Sequence, residues 1–305
     1  MTRLFNSSTI KGLFIRINEV HRELGTLGLI RSAIRAIAWP ILKYKFKEIK
    51  CKVQNYTLWV NTYDFGLSRE LFMYGIHEPI TTELIKKNLR EGMHAVDIGS
   101  NIGYYVILEA KIVGDKGKVI AIEPYPDSVS LLKKNIKFNK VENVVEIFEI
   151  AVGKEDGYMR FYIYDQANWN SLIPFHKSKS SIIVKVSPLD KIINLERVHF
   201  IRLDVEGFEP EVIEGSIEII KKNKPLLCIE LHPHIRDPEA IKNMLLKLEQ
   251  TGYYVKYGYY RKKDLIGVGS INDAKNIKFS YLLENEGPIN KRLPYTVWLE
   301  CGDKR

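Results

Sequence analysis

Two groups of residues in this 305-residue chain have the types and spacing to do chemistry. The first is the run Val96-Asp97-Ile98-Gly99-Ser100-Asn101-Ile102-Gly103, with Glu123 standing 26 residues beyond Asp97. Asp97 and Glu123 each close a short apolar run that reads as a strand. Glycine after such a strand permits a tight turn and lets backbone approach a ligand. An acid ending the neighbouring strand commonly accepts hydrogen bonds from ribose hydroxyls. The run is neither G-x-G-x-x-G nor a Gly-Lys-Ser/Thr phosphate cradle. Asp97 would repel a pyrophosphate and welcome an amino group. A ligand carrying a ribose and a cationic amino-acid part therefore fits better than a dinucleotide. The second group is Asp204-Val205-Glu206-Gly207-Phe208-Glu209, with Glu230 and His232. Carboxylates and an imidazole can move protons near neutral pH, and carboxylates can hold a divalent ion.

Strands must hold both groups. Residues 93–98, 118–122, 143–150, 199–204 and 225–231 are short apolar runs. Helical stretches fall between them, up to residue 113, at 127–139 and at 210–222. This alternation predicts an α/β fold with a parallel, doubly wound sheet. Such sheets bind ligands beyond the carboxyl ends of their strands, where both groups lie. Residues 151–198 interrupt the alternation as an inserted hairpin, with strands at 158–164 and 181–186 around Asn168-Trp169-Asn170-Ser171. The amides, Trp169 and Tyr158, Tyr162 and Tyr164 suit contact with a sugar; the tyrosines also suit ordinary hairpin packing. Residues 233–305 complete the sheet with a helix at 238–250 and strands at 253–260 and 295–299. Upstream, a strand pair is expected over 51–62 and helices over 68–74 and 79–90, with Pro79 at a first helical turn. The expected organisation is a basic helical appendage over 1–50, a cap over 51–90 and the main domain over 91–305.

The chain carries 46 Lys+Arg against 37 Asp+Glu, a formal net charge of +9, with 45% hydrophobic residues. That composition excludes a disordered, collagen-like or disulfide-stapled chain. Cys51, Cys228 and Cys301 are odd in number, far apart and outside any zinc-type spacing, which suits a reducing compartment. There is no signal-peptide pattern and no run of about 18 uncharged apolar residues. A cytoplasmic location is expected, with peripheral attachment at the inner membrane face as an option. Residues 1–50 hold ten basic against three acidic residues, so most of the net charge sits there. Over 28–45, Ile30, Ile34, Ile37 and Ile41 share one helical face and Arg31 and Arg35 another. Pro40 is expected to kink or end that helix near Trp39. Two placements are open: the isoleucine face packs on the main domain, or the basic helix lies on an anionic membrane.

The motif series is specific. VDIGSNIGYY (96–105), VIAIEPYPDSVSLLKKNIKFN (119–139), VSPLDKI (186–192), RLDVEGFEPEVIEG (202–215) and PLLCIELH (225–232), with YGIHEP (74–79) upstream, resemble the FkbM family of class I S-adenosylmethionine-dependent methyltransferases. The resemblance covers about residues 55–232. It implies a Rossmann-like, doubly wound, mostly parallel seven-stranded sheet with a final antiparallel strand. It implies S-adenosylmethionine as cofactor, with Asp97, Gly99, Asn101 and Gly103 around the methionine part. Glu123 would bind the ribose and Ile150 and Ala151 would flank the adenine, with Ser100, Pro124 and Asp204 also among the cofactor-binding residues. The family's characterised members mostly methylate hydroxyl groups on sugars or polyketide-type metabolites, and the acceptor expected here is a hydroxyl of a sugar, glycan, glycolipid or related metabolite.

An alcohol acceptor needs a general base or a metal that lowers its pKa. Asp204, Glu230 and His232 are the catalytic candidates, with Glu206 beside them. Asp204 and Glu230 could hold Mg²⁺. Glu206 and Glu209 equally suit the start of the helix that follows, and His232 a strand-end turn. Arg202 stands where the family usually carries lysine, and it cannot act as a base. It could pair with Asp204, Glu230 or an anionic substrate group. The basic balance raises an RNA methyltransferase as the alternative, and a non-catalytic cofactor-binding scaffold is a third reading. With the excess charge confined to residues 1–50, no specific nucleic-acid partner is expected.

Overall fold

The runs ending in Asp97 and before Glu123 are central strands of a seven-stranded sheet. The computed structural model describes residues 7–264 and 269–302, without the side chains of 7–24 and Leu29. Residues 1–6 of the expected appendage lie outside the described residues. The amino-terminal elements are α1 (Ser7–Lys45), β1 (Glu48–Val53), β2 (Tyr56–Asn61), α2 (Leu67–Tyr74) and α3 (Pro79–Asn88). Then come β3 (His94–Ile98), α4 (Tyr104–Val113), β4 (Lys118–Ile122), α5 (Pro126–Asn139) and β5 (Val145–Phe148). The inserted segment holds β6 (Ala151–Val152), β7 (Gly157–Ile163), β8 (Ser180–Ser187) and α6 (Leu189–Ile192). The chain closes with β9 (Phe200–Leu203), α7 (Glu209–Glu214), α8 (Ile217–Asn223), β10 (Leu226–Leu231), α9 (Pro238–Gln250), β11 (Tyr253–Tyr260), α10 (Phe279–Leu283) and β12 (Tyr295–Cys301).

The sheet order is β11-β12-β10-β9-β3-β4-β5. The run from β10 to β5 is parallel, and β12 is antiparallel to both its neighbours. This is a doubly wound, mostly parallel sheet, with its antiparallel strand inserted next to the edge. The parallel strands are buried on both faces, which is why they read as unbroken apolar runs. One core joins the sheet to α7, α9 and the insertion; the other joins it to α3, α4, α5 and the β1–β2 hairpin. α4 is apolar nearly all round because the sheet and the hairpin sandwich it.

The structure departs from the sequence reading at several elements. α1 continues through Pro40 to Lys45, and the helix is interrupted instead at Gly25, whose φ of +67° suits glycine. Ala36 and Pro40 are exposed, so water can take the carbonyl that proline leaves unbonded. The isoleucine face does not pack on the domain. α1 docks through Ser32, Arg35 and Trp39, with Trp39 against the Phe72 ring at 5.2 Å between centroids. The third strand stops at Phe148, and Ala151–Val152 pairs instead with β8. The insertion is therefore a separate three-stranded sheet, β6-β8-β7, rather than a lone hairpin. The expected helix over 210–222 is two helices, α7 and α8. They break at Gly215, where a Cβ would stand 1.9 Å from the Gly153 carbonyl oxygen.

Asn135 joins the amino-terminal hairpin to the sheet. It is fully buried; its Oδ1 accepts from Trp59 N at 2.6 Å, and its Nδ2 donates to Trp59 O at 3.1 Å and Ile102 O at 2.8 Å. Each buried backbone group left without a partner costs about 1–3 kcal/mol. Asn135→Ala is expected to lower unfolding free energy by at least about 2 kcal/mol in urea denaturation. A loss within about 0.5 kcal/mol would mean that water replaces the amide.

Candidate functional site

The loop after β3 forms a cradle. Gly99 has φ +87°, and a Cβ there would stand 1.9 Å from the Asp204 carbonyl oxygen. Only glycine lets the β3 loop lie against the β9 loop. Ser100 Oγ donates to Asp97 O at 2.8 Å and accepts from Ile122 N at 3.0 Å, tying β3 to β4. Glu123 accepts from Asn101 N at 2.8 Å and Tyr125 N at 2.9 Å. Burial pushes its carboxyl up to about 7, against the pull of those two bonds. The pocket these residues line encloses about 830 Å³, including its open mouth. Gly99, Ser100, Asn101, Glu123, Pro124, Ile150, Ala151 and Asp204 all reach its wall. Asp97 and Gly103 are not among the lining residues. Gly103 instead starts α4 at φ +89°, close against Leu132.

Asp97 is turned to a cation of the protein itself. The register sets it opposite Arg202 on β9, and Arg202 Nη1 lies 3.0 Å from Asp97 Oδ1. Arg202 Nη2 lies 2.8 Å from Asp204 Oδ2, and the guanidinium stands 4.1 Å from the Tyr105 ring centroid. Arg202 thus pairs with Asp204 as the sequence suggested, and not with Glu230. Glu230 is held by Arg261, whose Nε lies 2.8 Å from Glu230 Oε1 and whose Nη2 lies 2.8 Å from Glu78 Oε1. Glu78 also faces His77 Nε2 at 3.0 Å, and His77 Nδ1 faces Glu70 at 2.8 Å. Burial opposes charge on His77, but Glu78 and Glu70 outweigh it and lift the imidazole to about 10.

His77, Glu78 and Arg261 were not foreseen as site residues. The YGIHEP run was a signal for the first two, without a role attached. Arg261 gave none, since its neighbours Lys262 and Lys263 look like an ordinary charged strand end. Asp264 brings it in by accepting from Ile80 N at 2.5 Å and Thr81 N at 3.1 Å at the start of α3.

The acids after β9 and β10 converge on His232. Its Nδ1 lies 2.8 Å from Glu209 Oε1; its Nε2 lies 3.3 Å from Glu206, 3.6 Å from Glu230 and 3.9 Å from Asp204. His232 is 2% exposed and sits behind the wall that Asp204 and Glu206 form. Glu206 has φ +52°, a strained conformation for a side chain, and Ser171 Oγ donates to its carbonyl at 2.7 Å. Burial, and then Glu230, pushes Asp204 up to about 6. Burial pushes Glu206 up to about 8 although His232 pulls it down. Burial opposes ionisation of Glu230 as well, yet Arg261 and His232 bring it below the usual range. Burial disfavours charge on His232, and Glu206 and Glu209 overcome it, so the imidazole is raised.

Asp204, Glu230 and His232 offer ligand atoms within 4.8 Å of one another. Each carboxylate, however, already meets a guanidinium at 2.8 Å, and the imidazole favours its protonated form. A divalent ion held there would have to compete with those two guanidinium groups for carboxylate oxygen. In the insertion, Asn168 and Asn170 line the pocket. Trp169 turns to Phe175 and His176, Tyr164 is buried, and Tyr158 is exposed.

Comparison with known proteins gives a family. The Methyltransferase FkbM domain matches residues 97–255, just over half of the chain. A probable cobalt-precorrin-6B C(15)-methyltransferase (decarboxylating) of Sulfurisphaera tokodaii is 40% identical over 88 residues, 27% of this chain and 46% of that protein. A protein-L-isoaspartate O-methyltransferase of Triticum aestivum is 33% identical over 94 residues, 30% of this chain and 37% of that protein. The chain thus spans less than half the length of these two relatives. The crystal structure of methyltransferase FkbM from Methylobacillus flagellatus KT aligns over 75% of this chain and 52% of its own, with 16% identity and a TM-score of 0.41.

Removing the central cation should expose the tension in the site. Arg202→Met leaves Asp97 and Asp204 buried and unpaired, a change that costs about 3–5 kcal/mol. Both carboxyls would then titrate higher in the folded than in the unfolded chain. The loss of stability should grow as pH rises through that interval and shrink as pH falls and they protonate. Melting curves should show a larger deficit against wild type at pH 8 than at pH 5. An equal deficit at both would sink the account.

Proposed function

The chain belongs to the FkbM methyltransferase family, and on that premise we propose that it is an S-adenosylmethionine-dependent O-methyltransferase. The acceptor we propose is a hydroxyl of a sugar, glycan, glycolipid or related metabolite. The observation that carries the reading is the placement of Asp204. It lies on the pocket wall beside the glycine cradle, with Oδ2 fixed by Arg202.

The cradle fits the cofactor on its own chemistry. Glu123 keeps acceptor capacity for ribose hydroxyls after taking one backbone N–H on each oxygen. At Gly99 a Cβ would meet the Asp204 carbonyl, so glycine is what holds the cradle against the β9 loop. When bound, S-adenosylmethionine supplies an electrophilic methyl on a sulfonium. The chain's own residues then have three tasks: to orient the hydroxyl, to exclude water and to take its proton.

The Asp204 carboxylate is suited to take the proton. A carboxyl raised to about 6 is ionised at neutral pH, yet more basic than a solvated aspartate. Arg202 holds Oδ2 and cannot itself act as a base. Glu206, pushed up by burial, is suited to keep a proton toward neutral pH and to donate to the acceptor. Glu209 and His232 lock the loop behind them, with Gly207 N donating to Glu209 at 2.9 Å. Asn168 and Asn170 present amides to further hydroxyls. His232 is thus a positioning residue in this reading, and Glu230 holds Arg261.

Two outcomes test it. Asp204→Asn should bind cofactor within a few-fold of wild type and lose about 10²–10⁴ in kcat. Wild-type turnover should rise with pH through about 6 as Asp204 ionises. In calorimetric titration, affinity for S-adenosylmethionine and S-adenosylhomocysteine should strengthen as pH rises through about 7. The sign follows because the ionised Glu123 is the better acceptor for two hydroxyls, so binding releases its proton. Glu123→Ala should bind weakly and without that pH dependence. A folded wild-type chain that binds neither compound would refute the proposal.

A further inference from the structure

The latter part of α1 leaves its apolar face unused by the fold. Ser32 Oγ donates to Met73 O at 3.2 Å, Arg35 Nη1 to the same oxygen at 3.4 Å, and Trp39 is buried against Phe72. Leu27, Ile30, Ile34, Ile37 and Ile41 lie on the opposite side, between 50% and 73% exposed, and Tyr44 continues the row at 90%. Their steps of three and four residues make one continuous stripe along the helix. Contiguous apolar surface of this kind marks a contact site.

The charges around the stripe select the occupant. Arg31 and Lys45 flank it, and Lys47 and Lys50 follow. The single acid between residues 25 and 50 is Glu48, which Lys134 holds at 2.6 Å. Two copies paired through the stripe would bring like charges together, with no free acid of this segment to offset them. An anionic bilayer supplies both missing partners, an apolar layer for the isoleucines and phosphates for the basic residues.

Exposed aromatic rings gather at the carboxyl end of the helix. Phe46, Tyr63 and Phe65 are all exposed, and Lys43 Nζ stands 5.2 Å and 4.1 Å from the Tyr63 and Phe65 centroids. Rings and lysines of this kind favour the headgroup level. Among the described residues no helix is long and apolar enough to cross a membrane, so the contact would be peripheral.

From this arrangement we infer that α1 lies on an anionic membrane surface with its isoleucine stripe in the bilayer. The attachment reaches the pocket through one loop. Asp64, between Tyr63 and Phe65, accepts from Gly66 N at 2.9 Å, Ser68 N at 2.8 Å and Ala167 N at 3.0 Å. Leu67 and Ala167 line the pocket, so the aromatic loop and the pocket roof are one connected segment.

The test is sedimentation of the full chain with vesicles of phosphatidylcholine, with and without phosphatidylglycerol. It needs no turnover, so it is independent of the methyltransferase reading. Binding to the anionic vesicles should exceed binding to the neutral ones by at least about tenfold, and fall with salt. The double variant Ile34→Ser/Ile37→Ser should lose at least about tenfold in binding at an unchanged melting temperature, since both residues are exposed. Absent binding, binding indifferent to lipid charge, or full binding by the variant would each overturn the inference. Self-association abolished by the same variant, without vesicle binding, would assign the stripe to a second copy instead.

Discussion

A guanidinium buried between two carboxylates sets the terms for the rest of this structure. Arg202 pairs with Asp97 across the β3–β9 ladder and with Asp204 beyond its own strand end. None of the three could be buried alone as a charge. Arginine cannot escape by losing its proton, so the carboxylates must stay with it. The consequence is a fixed distance between the β3 loop and the β9 loop, which Gly99 makes sterically possible. The cradle and the pocket wall at Asp204 are thereby one rigid unit.

The same constraint repeats outward. Glu230, Arg261, Glu78, His77 and Glu70 form a line of alternating charge running from the end of β10 into α2. Glu78 and Glu230 share the Arg261 guanidinium and each also faces an imidazole, His77 or His232; both fall below the usual carboxylate range although burial opposes it. Asp204 shares its guanidinium with Asp97, and Glu206 has only the imidazole. Both are pushed up toward neutrality, and both stand on the pocket wall, as the raised Glu123 does. Environments that separate the pKa values of neighbouring acids are how a site assigns acid and base roles.

The matched family segment, residues 97–255, supplies the cradle and the acids. Leu67 and His77 on the pocket wall come from before it, and Arg261 behind the wall comes from after it. Asp264 and Asp64 each clamp such an outlying segment by accepting backbone N–H groups from another element. The pocket wall is thus built partly by the cap and the insertion.

The sequence by itself determined the parallel sheet, because strands buried on both faces must be continuous apolar runs. It also determined the cradle at Gly99, Ser100, Asn101 and Glu123, because acids and glycines at strand ends have little other use there. It located Asp204, Glu230 and His232 in one place for the same reason. What it left open depended on which distant groups meet. Asp97 could be read as free for a ligand until the register set Arg202 opposite it. Arg261 had no local pattern, since only the Asp264 clamp carries it to Glu230. Helix periodicity found the isoleucine stripe but not its direction, because Trp39 and Ser32 provided a second dockable face. Local pattern fixes which face a strand or helix can bury; tertiary packing decides which one it does, and which charges are left to share a proton.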